Sequence, residues 1–149
     1  MARMIFMLVA LIGTFQTLAA PLQSRAGQPS QQCKSFSLEA STGVEDARTA
    51  LAAVNVATDP NARNLLQAQL SLLDAETGEN ELASSLSAGG GAASTGANAL
   101  ISALQAAQAS LSQIGVLFIA NTTFTAVATA NASIATALEN AQQAVAANC

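Results

Sequence analysis

Apolar side chains return at alternating steps of three and four residues along the C-terminal half of the chain. One row is Ala97, Leu100, Leu104, Ala107, Leu111, Ile114 and Phe118. The next is Phe124, Val127, Asn131, Ile134, Leu138, Ala141 and Val145, with a single polar residue among the apolar ones. A mean step of about 3.5 residues keeps such a row on one face of a helix, whereas a half-buried strand needs a step of two. Helices are therefore expected from near Ser94 or Thr95 and from just after Asn121 and Thr122. A helix with one oily face must bury it, and the simplest partner is another helix of the same kind.

Two more helices are legible upstream. Thr42-Gly43-Val44-Glu45 has the form of a capping box, so a helix is expected to start at Thr42, with Val44, Ala47, Leu51 and Val54 as its apolar stripe. Thr58-Asp59-Pro60 then ends that helix and opens the next, with Asp59 as N-cap and Pro60 at the first helical position. The second helix carries Leu65, Leu66, Leu70, Leu72 and Leu73, and reaches Leu82 and Leu86 if it survives Gly78. Gly89, Gly90 and Gly91 form the clearest break in the chain. The expected fold is all-α: an antiparallel bundle of about four helices crossing near 20°, in hairpins at about 42–88 and 94–148 joined by the linker 89–91. Composition agrees, because alanine and leucine are the best helix formers and β-rich domains draw on aromatic residues, which make up only 3% here.

The first nineteen residues read as a secretory signal peptide. Arg3 precedes an unbroken apolar run over residues 4–12, and Thr17 and Ala19 place small side chains at −3 and −1 of a cut before Ala20-Pro21. The run is too short to span about 30 Å of hydrocarbon as a helix, so no transmembrane anchor is expected. Residues 20–40 read as an extended polar arm, with prolines at 21 and 29, and residues 41–149 as the bundle. On an oxidising route the two remaining cysteines, Cys33 and Cys149, are expected to pair and to tie the C-terminus to the front of the domain.

Charge and residue inventory exclude several functions. Loss of Arg3 with the signal peptide leaves four basic residues against nine acidic ones, which disfavours nucleic acid, whose phosphates need a basic face. There is no histidine, so neither a Ser-His-Asp triad nor a histidine metal site can be assembled. No catalytic residues, metal ligands or cofactors are assigned, and the chain is not expected to be an enzyme. Asp74, Glu76, Glu79 and Glu81 cluster, but Gly78 and Ser85 fall out of register for a calcium loop, so the cluster reads as a solvated turn.

Three features bear on function. No charged residue lies between Glu81 and Glu139, so half the domain offers water only small polar and apolar side chains. Residues 114–120 (IGVLFIA) are apolar on every side of a helical turn, and Val116, Leu117, Phe118 and Ile119 are the expected apolar contact if that turn is exposed. Two glycosylation sequons begin at Asn121 and Asn131; a glycan is expected at Asn121, at a helix boundary, rather than at Asn131, on an apolar seam.

The signal end Leu18, Ala19, Ala20 and Pro21, the Ala/Ser/Leu-rich stretch 97–111 (ANALISALQAAQASL) and the closing helix over 128–145 together resemble small secreted helical proteins of filamentous fungi. The likeness is to the hydrophobic surface-binding protein A and cell-wall mannoprotein group, and it lies in composition and rhythm over about 110 residues. It implies adsorption to hydrophobic solids or residence in the cell wall. The first expectation is thus a secreted, non-catalytic protein binding a hydrophobic surface or a cell-wall polymer. The alternatives are a carrier holding a small lipid within the bundle and a secreted effector binding a host protein.

Overall fold

A computed structural model describes residues 31–56, 59, 61–89, 93–114 and 121–149, with backbone alone for Asn121 and Thr122. It contains four α-helices: α1 (Gln31–Ala52), α2 (Ala62–Ser87), α3 (Ala93–Ser112) and α4 (Asn121–Ala146). No strand occurs among the described residues. The expected signal peptide, the expected arm as far as residue 30 and the expected apolar contact Val116 to Ile119 lie outside the described residues.

The helices form an antiparallel bundle. Gly78 of α2 meets Leu100 of α3, and Leu82 meets Gly96, so the two helices run in opposite senses. The same holds for α1 and α4, where Cys33 joins Cys149 and Gly43 lies against Ser133 and Ala137. It holds for α1 and α2, where the Gln69 amide donates to the Leu51 carbonyl and Arg48 pairs with Glu76.

Helix α1 begins eleven residues earlier than the capping box indicated, so residues 31–40 are helix and not extended arm. Thr42 does not cap. Its hydroxyl donates to the Leu38 carbonyl one turn back at 3.0 Å, a bond that presupposes a helix already formed there. Burial of Cys33 and Ala40 holds this extra length on the bundle. Helix α2 starts at Ala62, with Asn61 as N-cap, two residues beyond the expected cap. Asp59 still serves the helix entrance. One carboxylate oxygen accepts the Asn61 N–H at 2.8 Å and the other accepts the Thr123 hydroxyl at 3.0 Å, joining the α1–α2 connection to the first turn of α4.

The helices of each hairpin expected on either side of the glycine break are in contact, α1 with α2 and α3 with α4, but neither is the tightest pairing. The most intimate pairs are α2 with α3 and α1 with α4; α1 with α2 makes the thinnest of these interfaces. Glycine is the reason. A Cβ on Gly78 would fall 2.6 Å from the Leu100 amide nitrogen, and one on Gly43 would fall 2.8 Å from the Ser133 carbonyl oxygen. One on Gly96 would overlap the backbone of Leu82. These residues let backbones touch, and Gly78 is a contact point within an unbroken helix.

The same closeness sets the phase of α4. Of the stripe expected through Phe124, Val127, Asn131, Ile134, Leu138, Ala141 and Val145, the residues Val127, Ile134 and Ala141 are buried, whereas Phe124 is 49% exposed and Asn131, Leu138 and Val145 are only partly buried, so the inward face is turned toward the alanines. The innermost line is Ala126, Ala130, Ile134, Ala137, Ala141 and Ala144. Small side chains sit where helix axes come nearest, and the larger ones flank the contact. Elsewhere the core is leucine: Leu51, Leu65, Leu72, Leu82, Leu100 and Leu104 have no exposed surface. Each such burial stabilises by about 1.5–3 kcal/mol.

The expected disulfide is present, between Cys33 in the first turn of α1 and the C-terminal Cys149, with Cα atoms 5.6 Å apart. A C-terminal turn delivers Cys149 to it. Asn148 takes a left-handed conformation, at φ 54°, and its N–H donates to Val145, while the Cys149 N–H reaches back to Ala144 at 3.0 Å. That is a Schellman ending, with asparagine in the position usually given to glycine.

Candidate functional site

Three large side chains point away from the core on consecutive turns of α2. Leu66, Leu70 and Leu73 are 50%, 55% and 46% exposed. Spacings of four and three place them on one line, opposite the buried line of Leu65, Ala68, Leu72, Ala75 and Leu82. Helix α2 is therefore apolar on both sides over its first half, and only one side is used by the fold. Helices whose outward face is merely solvated carry polar residues there. Further along the same outward line come Thr77 and Ser84, so the oily stripe ends after Leu73.

Leu73 also borders a groove between α1 and α2 of about 420 Å³, lined by Glu45, Arg48, Thr49, Ala52 and Gln69. The thin α1–α2 interface leaves this space. Arg48 and Glu76 pair across it, and Glu79 lies one turn further along, half-buried against α1. Burial pushes the Glu79 carboxyl up to about 7. A hydrogen bond from Ser41 and the positive charge of Arg48 act against the rise, and the negative charges of Glu76 and Glu45 add to it. The Oε1 atom of Glu79 is buried with no hydrogen-bond partner. The acidic cluster is thus no turn: it lies within α2, with Glu76 and Glu79 facing α1 while Asp74 and Glu81 face water. Among the described residues no group of three or more His, Cys, Asp or Glu is placed to hold a metal ion.

Charge is divided by helix. Helix α3 carries none and α4 only Glu139, so the uncharged run becomes two adjoining helices whose outer faces show mainly Ser, Thr, Gln, Asn and Ala, with Phe124 the large apolar exception. Asn121 is the first residue of α4, and the Thr123 hydroxyl that completes its sequon is buried against Asp59. Asn131 is half-buried on the flank of α4, its Oδ1 out of reach of water and without a hydrogen-bond partner. No helix among the described residues is long and apolar enough to cross a membrane.

No protein-family model, no characterised protein and no solved structure matches the chain. The functional reading rests on the geometry of the bundle. The apolar contact expected from the sequence, residues 116–119, lies outside the described residues, and the exposed leucine line of α2 is not among the expected contacts. Its spacing was visible, but two leucine lines run along α2, and sequence alone does not tell which of them faces inward.

Proposed function

We propose that this is a secreted, non-catalytic protein that adsorbs to hydrophobic surfaces, and that the outward line of Leu66, Leu70 and Leu73 makes the contact. The carrying observation is that three leucines on successive turns of one helix stand about half exposed on the side away from the core. Desolvating the exposed half of each against an apolar surface contributes about 1 kcal/mol, so about 3 kcal/mol together, a shift in partitioning of about a hundredfold. The low surface charge of α3 and α4 weakens any electrostatic barrier to crowding on such a surface. Cys33–Cys149 suits a chain exported to an oxidising compartment. A carrier with lipid held between the helices draws less support. The core leucines Leu51, Leu65, Leu72, Leu82, Leu100 and Leu104 have no surface that a water-sized sphere can touch, so no void of that size borders them.

Adsorption isotherms on alkylated and on bare silica test the reading. The triple variant Leu66→Gln, Leu70→Gln, Leu73→Gln is expected to keep its helical signal and to lose about a hundredfold in affinity for the alkylated surface alone. Equal adsorption of variant and wild type would discard the assignment.

A further inference from the structure

The bundle consists of two tight helix pairs, α1 with α4 and α2 with α3, joined along a thin seam between α1 and α2 and a broader contact between α3 and α4. Glycine notches lock each tight pair, and Cys33–Cys149 adds a covalent tie to the first. The seam has neither device. Polar contacts cross it at its edge: the Gln69 amide donates to the Leu51 carbonyl, and Arg48 pairs with Glu76. The edge is unbalanced. Glu45 approaches from α1, and Glu76 and Glu79 from α2, with Arg48 of α1 the one cation among the groups that act on Glu79. Arg48 is already engaged with Glu76. Ser41 of α1 supplies the neutral partner of Glu79. Helix α3, packed on the other side of α2, carries no charged residue that could compensate.

We propose that the α1–α2 seam is a pH-governed clamp, closed while the Glu79 carboxyl is protonated and loosened when it ionises, the α1–α4 pair then swinging from the α2–α3 pair about their shared α3–α4 contact. Protonated Glu79 is a neutral group that can sit against α1 beside Ser41. Ionised Glu79 places a second carboxylate charge one turn from Glu76, and its buried Oε1 has no donor to receive. Movement at the seam relieves both by admitting water. Each tight pair stays together, the two hinge apart at the seam, and the turns of α1 and α2 that lose the seam's cover open locally. Opening would widen the groove lined by Thr49, Ala52, Gln69 and Leu73. The inference is independent of the adsorption reading, since it concerns the seam and not the outer stripe.

Amide hydrogen exchange at pH 5.5 and pH 8.5, corrected for intrinsic chemical rates, tests it on the full oxidised protein. The expected result is about a tenfold loss of protection at pH 8.5 in 44–52 and 65–76, with the α2–α3 contact around Gly78 and Leu100 unchanged. Glu79→Gln, which keeps size and removes the charge, is expected to hold the low-pH pattern at both pH values. A carbon-detected titration of the Glu79 carboxyl in the folded wild type gives a second readout that needs no variant. Protection that is independent of pH, or that falls equally on all four helices, would overturn the clamp. So would a Glu79 midpoint near that of an exposed glutamate.

Discussion

Replacing Gly78 by alanine sets two physical effects against each other, and the structure decides which wins. By intrinsic propensity alone, glycine in the middle of a helix is worse than alanine by about 0.5–1 kcal/mol, so Gly78→Ala should stabilise. In the folded bundle the new methyl carbon would lie 2.6 Å from the backbone nitrogen of Leu100 and 2.9 Å from its Cα. Those atoms belong to a helix backbone and cannot rotate aside, so α3 must shift bodily. Overpacking of this kind costs about 1–3 kcal/mol. The expected net result is a loss of about 1 kcal/mol, or a fall of about 3–6 °C in melting temperature for a domain of this size. Urea denaturation followed by circular dichroism, with the disulfide intact, measures it. Asn80→Ala, on an exposed turn of the same helix, serves as the control and should gain a few tenths of a kcal/mol. Gly96→Ala should be destabilising in the same way, and the double variant should lose less than the sum, because both wedge the same helix pair. A Gly78→Ala protein as stable as the wild type, or more so, would refute the close approach of α2 and α3.

Leu72 and Leu73 are neighbours in sequence with opposite environments: Leu72→Ala should cost about 2–5 kcal/mol in urea, and Leu73→Ala no more than about 0.5 kcal/mol. Cys33→Ser with Cys149→Ser opens a loop of 116 residues and should lower stability by about 4–5 kcal/mol in the chain-entropy account, read as a shift in the urea midpoint. Burial raises Glu79 from 4.5 to about 7, so the folded protein holds that proton more tightly than the unfolded chain does. Its contribution to stability is therefore intact below pH 4.5 and is lost as pH rises to about 7; because the group is only half-buried, solvent screening reduces the loss to about 1–2 kcal/mol. The difference between wild-type and Glu79→Gln stability profiles over that window isolates the effect, and parallel profiles would remove Glu79 from the account.

Much of the architecture was legible in the sequence because it is local in origin. The alternation of threes and fours in 97–118 made α3 readable, and Leu100, Leu104, Ala107, Leu111 and Ile114 are all buried as that row requires. Two cysteines behind a stretch that reads as a secretory leader implied their pairing, and Cys33 and Cys149 are joined. Local signals also misled where a longer-range contact outweighed them. The capping box at Thr42 sits inside α1, since Cys33 and Ala40 bury the turns before it. The candidate site was less legible than the fold. The leucines of α2 were visible as residues, but their two lines are equally oily to a periodicity argument.

By itself, then, the sequence determined how many helices form, roughly where they lie and which two sulfurs meet, because helix periodicity, breaking residues and cysteine count act within a segment or need no geometry. Tertiary structure alone decided which helices lie closest, which face of α2 and α4 turns inward, and that Glu79 is held against α1. The physical reason is distance between axes. Glycine and alanine contribute little to a hydrophobicity pattern, yet they allow the nearest approach, so the contact lines run through Gly43, Gly78, Gly96 and the alanines of α4. The conspicuous residues Phe124, Leu66 and Leu70 are left facing water.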